Sequence, residues 1–265
     1  MEDSNVSSTA DNSDRFKRLK RFNLMMFFLH LAQGILMLAL SNKFSLSINS
    51  AFVEFNKITG KLEPVLKELF TLRLGPLVAG FLFLSALAHL MISLPGINRW
   101  YNRNLLKGAN YARWIEYAFS SSLMIVVIAA LAGMYDGISL MLMFFLNMMM
   151  ILFGWMMELH NQTTQKTNWT SFSFGSLAGA IPWVAIALYL FFAGGATGQA
   201  PTFVYWIFFS LFVFFNVFAV NMVLQYKKVG KWRDYLYGER VYIMLSLVAK
   251  SLLAWQVWFG TLRPV

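Results

Sequence analysis

The stretch YIMLSLVAKSLLAWQVWFG, residues 242–260, decides the fold because it is long and apolar enough to cross a membrane. A spanning helix needs about 20 apolar residues to cross roughly 30 Å of hydrocarbon. Lys250 is the only charged residue in this stretch and lies near its centre. A cation there costs roughly 2.5 to 3.5 kcal/mol, so an intramembrane lysine indicates a functional site.

The composition of the whole chain is that of a membrane protein. The 265 residues are 58% hydrophobic and 13% charged, with a mean hydropathy of +0.57, which excludes a soluble enzyme. There is no cysteine, so disulfides and thiolate metal sites are excluded as well. We predict an all-α, seven-transmembrane helix bundle without enzymatic activity, whose apolar stretches lie at about 22–41, 74–95, 112–133, 137–158, 172–193, 202–225 and 241–260.

The basic residues predict how the bundle is oriented. A formal net charge of +10 could suggest nucleic-acid binding, but the charges are clustered between the apolar stretches. With a cytoplasmic N-terminus, the clusters at 15–21, 99–113 and 227–240 all fall on the cytoplasmic side, as the positive-inside rule requires. We therefore predict a multi-pass protein of the cell membrane with a cytoplasmic N-terminus, an extracellular C-terminus and no nucleic-acid partner.

The chain divides into a polar N-terminal tail, residues 1–20, and one seven-helix domain, residues 21–262. Most connections between the apolar stretches are short, but the connection at 42–73 is long. Its segment FSLSINSAFVEF alternates apolar and polar residues with a period of two, which predicts a strand or hairpin. We expect a short β-hairpin in the first extracellular loop, covering the bundle or forming part of a dimer contact.

A buried Lys250 requires an anion nearby. Glu116 is the only acid placed within a predicted span. It reaches Lys250 if the third helix begins early, around 104–107; otherwise it is an interfacial acid paired with Arg113 one turn earlier. Ser246 precedes Lys250 by one turn and shares its helix face, so its hydroxyl can reach the amine.

Further polar and small residues recur at helical spacing within the spans. His30 with Gln33, and Ser85 with His89, indicate either interhelical hydrogen bonds or a hydrated proton-accepting network on the cytoplasmic side of Lys250. No metal site is predicted, although the histidine pair leaves metal binding open. The other candidates are Gly175 and Gly179, which favour helix packing or room for a flat ligand, and Trp183 and Phe215, which could flank a conjugated chain.

A lysine amine in a dry pocket can condense with an aldehyde to a Schiff base, which a carboxylate keeps protonated. The sequence resembles the heliorhodopsins, a family of inverted-topology, microbial rhodopsin-like proteins, over about residues 20–262. The segments that carry the resemblance are RWIEYAFSSSLMI, FLNMMMILFGW, GSLAGAIPW, FFNVFA and KWRDYLYGERVYIMLSLVAKSLLAWQ.

The resemblance implies all-trans retinal attached to Lys250 as a protonated Schiff base, with Glu116 as its counterion. It also implies a homodimer with the 42–73 loop in the contact. Three further groups follow from it: Ser246, Ser85 and Tyr117 near the Schiff base; His30, His89, Gln33 and Arg113 in a cytoplasmic polar cavity; and Asn147, Trp183, Phe215, Gly175 and Gly179 in the retinal pocket.

The distribution of acids favours sensing over pumping. No Asp or Glu lies within a predicted span on the extracellular side of Lys250, so a proton pump lacks a second carboxylate there. Glu158 ends the fourth apolar stretch at its cytoplasmic edge, and Glu239 falls in the predicted cytoplasmic loop 226–240. We predict a light-sensing protein in which photoisomerisation drives a slow conformational signal, without ion pumping, to an unknown cytoplasmic partner. The alternatives are a light-gated proton channel and a transporter in which Lys250 and Glu116 form a plain ion pair.

Overall fold

Long apolar helices and one β-hairpin make up the computed structural model, which describes residues 2–192 and 200–264. Within these ranges, seven helices are long and apolar enough to cross a membrane. This confirms the predicted seven-helix bundle. The elements are α1 (Glu2–Leu40), β1 (Ser45–Asn56), β2 (Lys61–Arg73), α2 (Leu74–Met91), α3 (Pro95–Leu106), α4 (Tyr111–Leu131), α5 (Gly137–His160), α6 (Thr170–Phe192), α7 (Thr202–Tyr226) and α8 (Tyr235–Val257).

Every α-helix except α3 is a spanning helix. The first span runs from Ser13 to Leu40 within α1, and the last continues from α8 through a π turn, Trp258–Leu262. Residue 193, the predicted end of the fifth apolar stretch, and Met1 of the predicted tail lie outside the described residues. We call the end of the bundle that carries β1 and β2 the hairpin end. The opposite end, which carries α3 and the loop 227–234, is called the basic end.

Three helix boundaries at the basic end differ from the prediction. The first span begins at Ser13 rather than at about 22, because the predicted tail is already helical there. The second span stops at Met91, and Pro95 then starts the short helix α3, where its missing N–H removes no hydrogen bond. The last span begins at Tyr235 rather than at about 241, because Asp234 caps it by accepting a hydrogen bond from Leu236 N. The turn containing Glu239 is therefore helical.

The core lies around α4, the most enclosed of the spanning helices. In the most apolar 18-residue segment of α4, 61% of the residues are buried, whereas the corresponding value for α5 is 22%. α4 therefore contacts protein on most sides. Its residues Ile125 and Ile128 pack with Phe81 of α2 and Leu253 of α8. Large apolar side chains on the outer helix faces, such as Trp206, are exposed, as expected for helices that face lipid.

The β-hairpin is confirmed, and it is anchored to the turn between α4 and α5. β1 and β2 pair antiparallel from Ser45 and Arg73 to the tip, with a bulge between Ile48 and Asn49. Ile48 is fully buried, and Asn49 N donates to Tyr135 O at 2.9 Å. The half of the hairpin nearest the bundle is thus part of the fold.

Asp136 connects this hairpin to α5. Its Oδ1 caps the helix by accepting from Ser139 N at 2.7 Å, and its Oδ2 accepts from Ser50 Oγ of β1 at 2.6 Å. The hydrogen bonds from Ser139 and Ser50 hold the pKa of the Asp136 carboxyl below its ordinary value of 3.8. The carboxylate therefore contributes full stability above that value, and the contribution is lost as pH falls through the lowered pKa.

Replacing Asp136 with Ala should destabilise the protein by about 1 kcal/mol at neutral pH, because both the helix cap and the strand contact are lost. Asp136→Asn is the matched control, since asparagine also caps helices, and it should have a smaller effect. Thermal unfolding in detergent across a pH series would measure both. The difference between Asp136→Ala and the native chain should shrink below pH 3.8; a constant difference would show that the carboxylate charge is irrelevant.

Candidate functional site

Lys250 lies inside α8 with its side chain 3% exposed. Side chains on a helix lean toward its N-terminus, so the lysine amine reaches back to the preceding turn. There Nζ donates to Ser246 Oγ at 2.7 Å and to Glu116 Oε1 at 2.9 Å. The intramembrane cation is therefore paired with an anion, as a charge inside a membrane requires.

Glu116 brings three helices together. Its side chain, on α4, is 8% exposed, and Oε1 also accepts from Ser85 Oγ of α2 at 2.7 Å. From the sequence we expected Glu116 to reach Lys250 only if its helix began at about 104–107. This expectation was wrong, because the helix begins at Tyr111. The contact forms nonetheless, because the Lys250 side chain leans toward the basic end. The alternative partner, Arg113, does not contact Glu116 and binds two other glutamates instead.

Tyr117 contacts the pair through its ring rather than its hydroxyl. Lys250 Nζ lies 5.1 Å from the ring centroid, within the range of a cation–π interaction. The hydroxyl points elsewhere and donates to Tyr242 O at 2.9 Å. Tyr117 therefore forms one wall beside the amine and ties α4 to α8.

An apolar cavity of about 300 Å³ begins at Lys250 and extends between α4, α5, α6 and α7. Such a volume lies at the lower end of the range for small-molecule sites. Trp183 and Phe215 line it and meet edge to face, with ring centroids 5.3 Å apart. A flat apolar molecule with an aldehyde end fits this combination of an apolar cavity and a single terminal amine.

Gly175 and Gly179 also line the cavity, and both keep α6 close to α5. A Cβ at Gly179 would lie 2.3 Å from Met150 Sδ, and one at Gly175 would lie 3.0 Å from Phe153 Cβ. The two roles left open by the sequence, helix packing and room for a ligand, are thus served by the same surface. Asn147 is not a lining residue: its amide donates to Ser121 Oγ at 2.8 Å, and Ser121 lines the cavity.

A second cavity, of about 30 Å³, lies on the basic side of Glu116. It is lined by both hydrocarbon and polar groups, the latter including His89, Arg113, Glu116, Tyr117 and Ser246. This is large enough for a water molecule, which needs roughly 10 to 15 Å³ and polar partners. Of the four residues expected in a polar cavity, His89 and Arg113 line it, whereas His30 and Gln33 do not.

His89 lines this cavity, and His30 lies behind it. His89 Nδ1 contacts Asn23 Oδ1 at 2.8 Å, and the His30 ring stacks on His89 with centroids 5.7 Å apart. His30 is fully buried, and among the described residues neither of its ring nitrogens has a hydrogen-bond partner. Within the described part of the chain no group of three or more His, Cys, Asp or Glu side chains is arranged to hold a metal.

Gln33 does not line the polar cavity, which corrects the expectation from helical spacing. Its Oε1 accepts from Trp255 Nε1 at 3.2 Å. Three residues advance a helix by 4.5 Å, so Gln33 lies nearer the hairpin end than His30 and meets the turn of α8 that follows Lys250.

An ionic cluster closes the basic side of the 30 Å³ cavity, and the sequence did not reveal it. Arg113 Nη1 donates to Glu239 at 2.7 Å, and Nη2 donates to Glu158. Both glutamate side chains are at most 3% exposed, whereas the sequence placed one at a membrane edge and the other in a loop. The capping signal of Asp234 could have placed Glu239 inside the last helix.

Seven membrane-length helices around a buried lysine–glutamate pair, with an apolar cavity at the amine, define a membrane protein of the rhodopsin type. The heliorhodopsin family model matches residues 19–262, and the chain belongs to the heliorhodopsin family. Membership implies a retinal chromophore and a light-sensing function. A search of curated proteins finds no match to the chain.

Proposed function

We propose that the protein is a light sensor in which Lys250 holds all-trans retinal as a protonated Schiff base and Glu116 is the counterion. The observation that carries the proposal is the buried contact between Lys250 Nζ and Glu116 Oε1 at the end of the apolar cavity. When bound, retinal supplies absorption of visible light and a light-driven isomerisation. Membership of the heliorhodopsin family supports the same cofactor.

The surrounding residues set the charge at the amine. Glu116 stabilises a positive charge on Nζ, and the hydrogen bond from Ser85 disperses the negative charge of the carboxylate. Ser246 orients Nζ from the preceding turn. Trp183 and Phe215 keep water from the rest of the cavity, which strengthens the interaction of the pair.

The signal would arise when the Nζ proton moves to Glu116 and the ion pair is neutralised. The contact that holds α2, α4 and α8 together is then weakened, and the basic end can rearrange. In the described spans no Asp or Glu lies between Lys250 and the hairpin end. A pump would need an acceptor or donor there, so we propose sensing without ion pumping.

We further propose the orientation and partners expected from the sequence. Residues 21–262 form the retinal-binding domain, residues 1–20 lie at its cytoplasmic side as the start of α1, and the C-terminus lies outside the cell. A homodimer would bury apolar hairpin side chains that are exposed in the single chain, among them Val53 and Phe55. An unidentified cytoplasmic partner would bind at the basic end.

The test is reconstitution of the purified protein with all-trans retinal. We expect a visible absorption band that hydroxylamine removes under illumination, and no photocurrent in voltage-clamped cells. A current that reverses with the proton gradient would instead identify a light-gated proton channel. The absence of any visible band would leave Lys250 and Glu116 as a plain ion pair and refute the proposal.

Replacing Glu116 with Gln should shift the visible band to longer wavelength. The carboxylate stabilises the ground state, in which the positive charge is concentrated at the nitrogen, so its removal narrows the gap to the excited state. Absorption spectra of the reconstituted variant at several pH values measure the shift. An unchanged spectrum would exclude Glu116 as the counterion.

Two control variants sharpen this assignment. Ser85→Ala removes one hydrogen bond to the Glu116 carboxylate and concentrates its negative charge. The visible band should therefore move to shorter wavelength, by less than the opposite shift expected for Glu116→Gln. Glu54→Gln changes an exposed hairpin carboxylate paired with Lys67 and should leave the spectrum as it is.

A further inference from the structure

The buried charges on the basic side of the bundle do not balance. Among the described residues, Lys250 pairs with Glu116, whereas Arg113 is the single cation between Glu158 and Glu239. All five side chains are at most 8% exposed. An unpaired carboxylate in such a site is strongly unfavourable, and a carboxyl group there becomes neutral by binding a proton.

Glu158 is the less favourable holder of this proton, because it accepts from three fixed N–H donors whereas Glu239 accepts from two. Its Oε2 accepts from Asn110 N and Trp114 Nε1, and its Oε1 accepts from Arg113 Nη2. These are N–H donors that cannot reverse, and the Tyr235 hydroxyl adds a fourth bond at 2.8 Å. A carboxylate that accepts four hydrogen bonds is stabilised in its ionised form.

Glu239 has an oxygen that can hold the proton. Its Oε2 faces Arg113, while Oε1 is near Asn110 Nδ2 and lies 3.3 Å from the Tyr101 hydroxyl. The Asn110 amide is fixed, because its Oδ1 caps α4 by accepting from Arg113 N. Burial raises the pKa of Tyr101 well above its ordinary value, so its hydroxyl stays neutral and can rotate to accept a proton donated by Oε1.

Glu239 and Glu116 line the same 30 Å³ cavity, together with His89 and Ser246. One water in a cavity of this size can bridge polar groups on opposite walls. The polar groups around Glu239 come from several elements: Tyr101 from α3, Asn110 from the residue before α4, Arg113 from α4, Glu158 from α5, and Tyr235 and Tyr242 from α8 itself. Asn23 of α1 and His89 of α2 line the same cavity.

We propose that Glu239 is a neutral carboxylic acid in the resting protein and is the proton store of the basic end. In the exchange, Oε1 of Glu239 releases a proton to water in the cavity, and His89, which lines the same cavity, takes one up. Glu239 then becomes the second anion of Arg113, so total charge is conserved. The exchange step rests on the proposed light-sensing function, whereas the neutral resting state of Glu239 does not.

Infrared spectroscopy of the retinal-free protein tests the resting state separately from the function. We expect the C=O stretching band of a protonated carboxyl group, with a downshift in D₂O. The band should disappear in Glu239→Gln and persist in Glu116→Gln, the matched change of the other carboxylate at the cavity. Absence of the band in the native chain, its persistence in Glu239→Gln or its loss in Glu116→Gln would overturn the proposal.

A second pair of variants distinguishes Glu239 from Glu158 as the carrier. Tyr101→Phe removes the hydroxyl next to Glu239 Oε1 and should shift the band to higher frequency, because the acid loses its acceptor. Tyr235→Phe removes the corresponding hydroxyl at Glu158 and should leave the band in place. A shift of the band in Tyr235→Phe and none in Tyr101→Phe would assign the proton to Glu158. That result would refute the proposal even if retinal binds as expected.

Discussion

Replacing Lys250 with Ala should abolish the visible absorption of the protein after incubation with all-trans retinal. Among the residues that line the apolar cavity, Lys250 has the only amine, so no other side chain there can form the Schiff base. Lys250→Arg should be colourless as well, because its guanidinium keeps the positive charge beside Glu116 without forming the imine. Absorption spectra of the purified, reconstituted variants measure the effect.

The arginine variant separates loss of attachment from loss of folding. Lys250→Ala leaves Glu116 buried without its cation, so part of its effect could come from a weakened bundle. Lys250→Arg retains the ion pair, and its thermal unfolding midpoint should lie closer to that of the native chain. Lys43→Ala changes an exposed lysine and should keep the full band. A normal visible band in Lys250→Ala would refute covalent attachment at this residue.

Replacing Arg113 with Gln should destabilise the protein by about 3 to 5 kcal/mol, the usual effect of removing one partner from a buried ionic cluster. Glu158 and Glu239 would lose their shared cation, and the guanidinium would no longer lie 4.0 Å from the Tyr242 ring centroid. For a chain of this size the loss corresponds to roughly 10 °C in unfolding midpoint. Thermal unfolding in detergent measures it.

Arg15→Gln is the matched control for Arg113. Arg15 also pairs with an acid near the basic end, Asp234, but the two side chains are 32% and 49% exposed. Exposed pairs contribute at most about 1 kcal/mol, so this variant should remain close to the native chain. Equal effects of the two arginine variants would contradict a special contribution of the buried cluster.

Much of the architecture could be predicted from local sequence patterns. The apolar stretches predicted the spanning helices, and the alternation in FSLSINSAFVEF predicted a strand that the structure places at Ser45–Asn56. These predictions succeed because hydropathy and side-chain alternation act within one element. The family of the chain was likewise indicated by short continuous segments, and it is confirmed by the match over residues 19–262.

The candidate site was predicted less completely. Glu239 was assigned to a loop, although Asp234 caps a helix that already includes it. Glu158 was placed at a membrane edge, although Arg113 and the indole of Trp114 bury it. At this end α3 contributes Tyr101 to the cluster, so the polar interior extends beyond the hydrophobic stretches that hydropathy detects.

The sequence by itself determined that seven helices cross the membrane and that one of them contains a lysine near its centre, because the transfer free energy of each segment depends mainly on its own residues. Only the tertiary structure decided the partners: Glu116 meets Lys250, Arg113 meets Glu158 and Glu239, and Gln33 meets Trp255. The direction, depth and rotation of side chains on different helices decide such pairings, and these depend on how the helices pack.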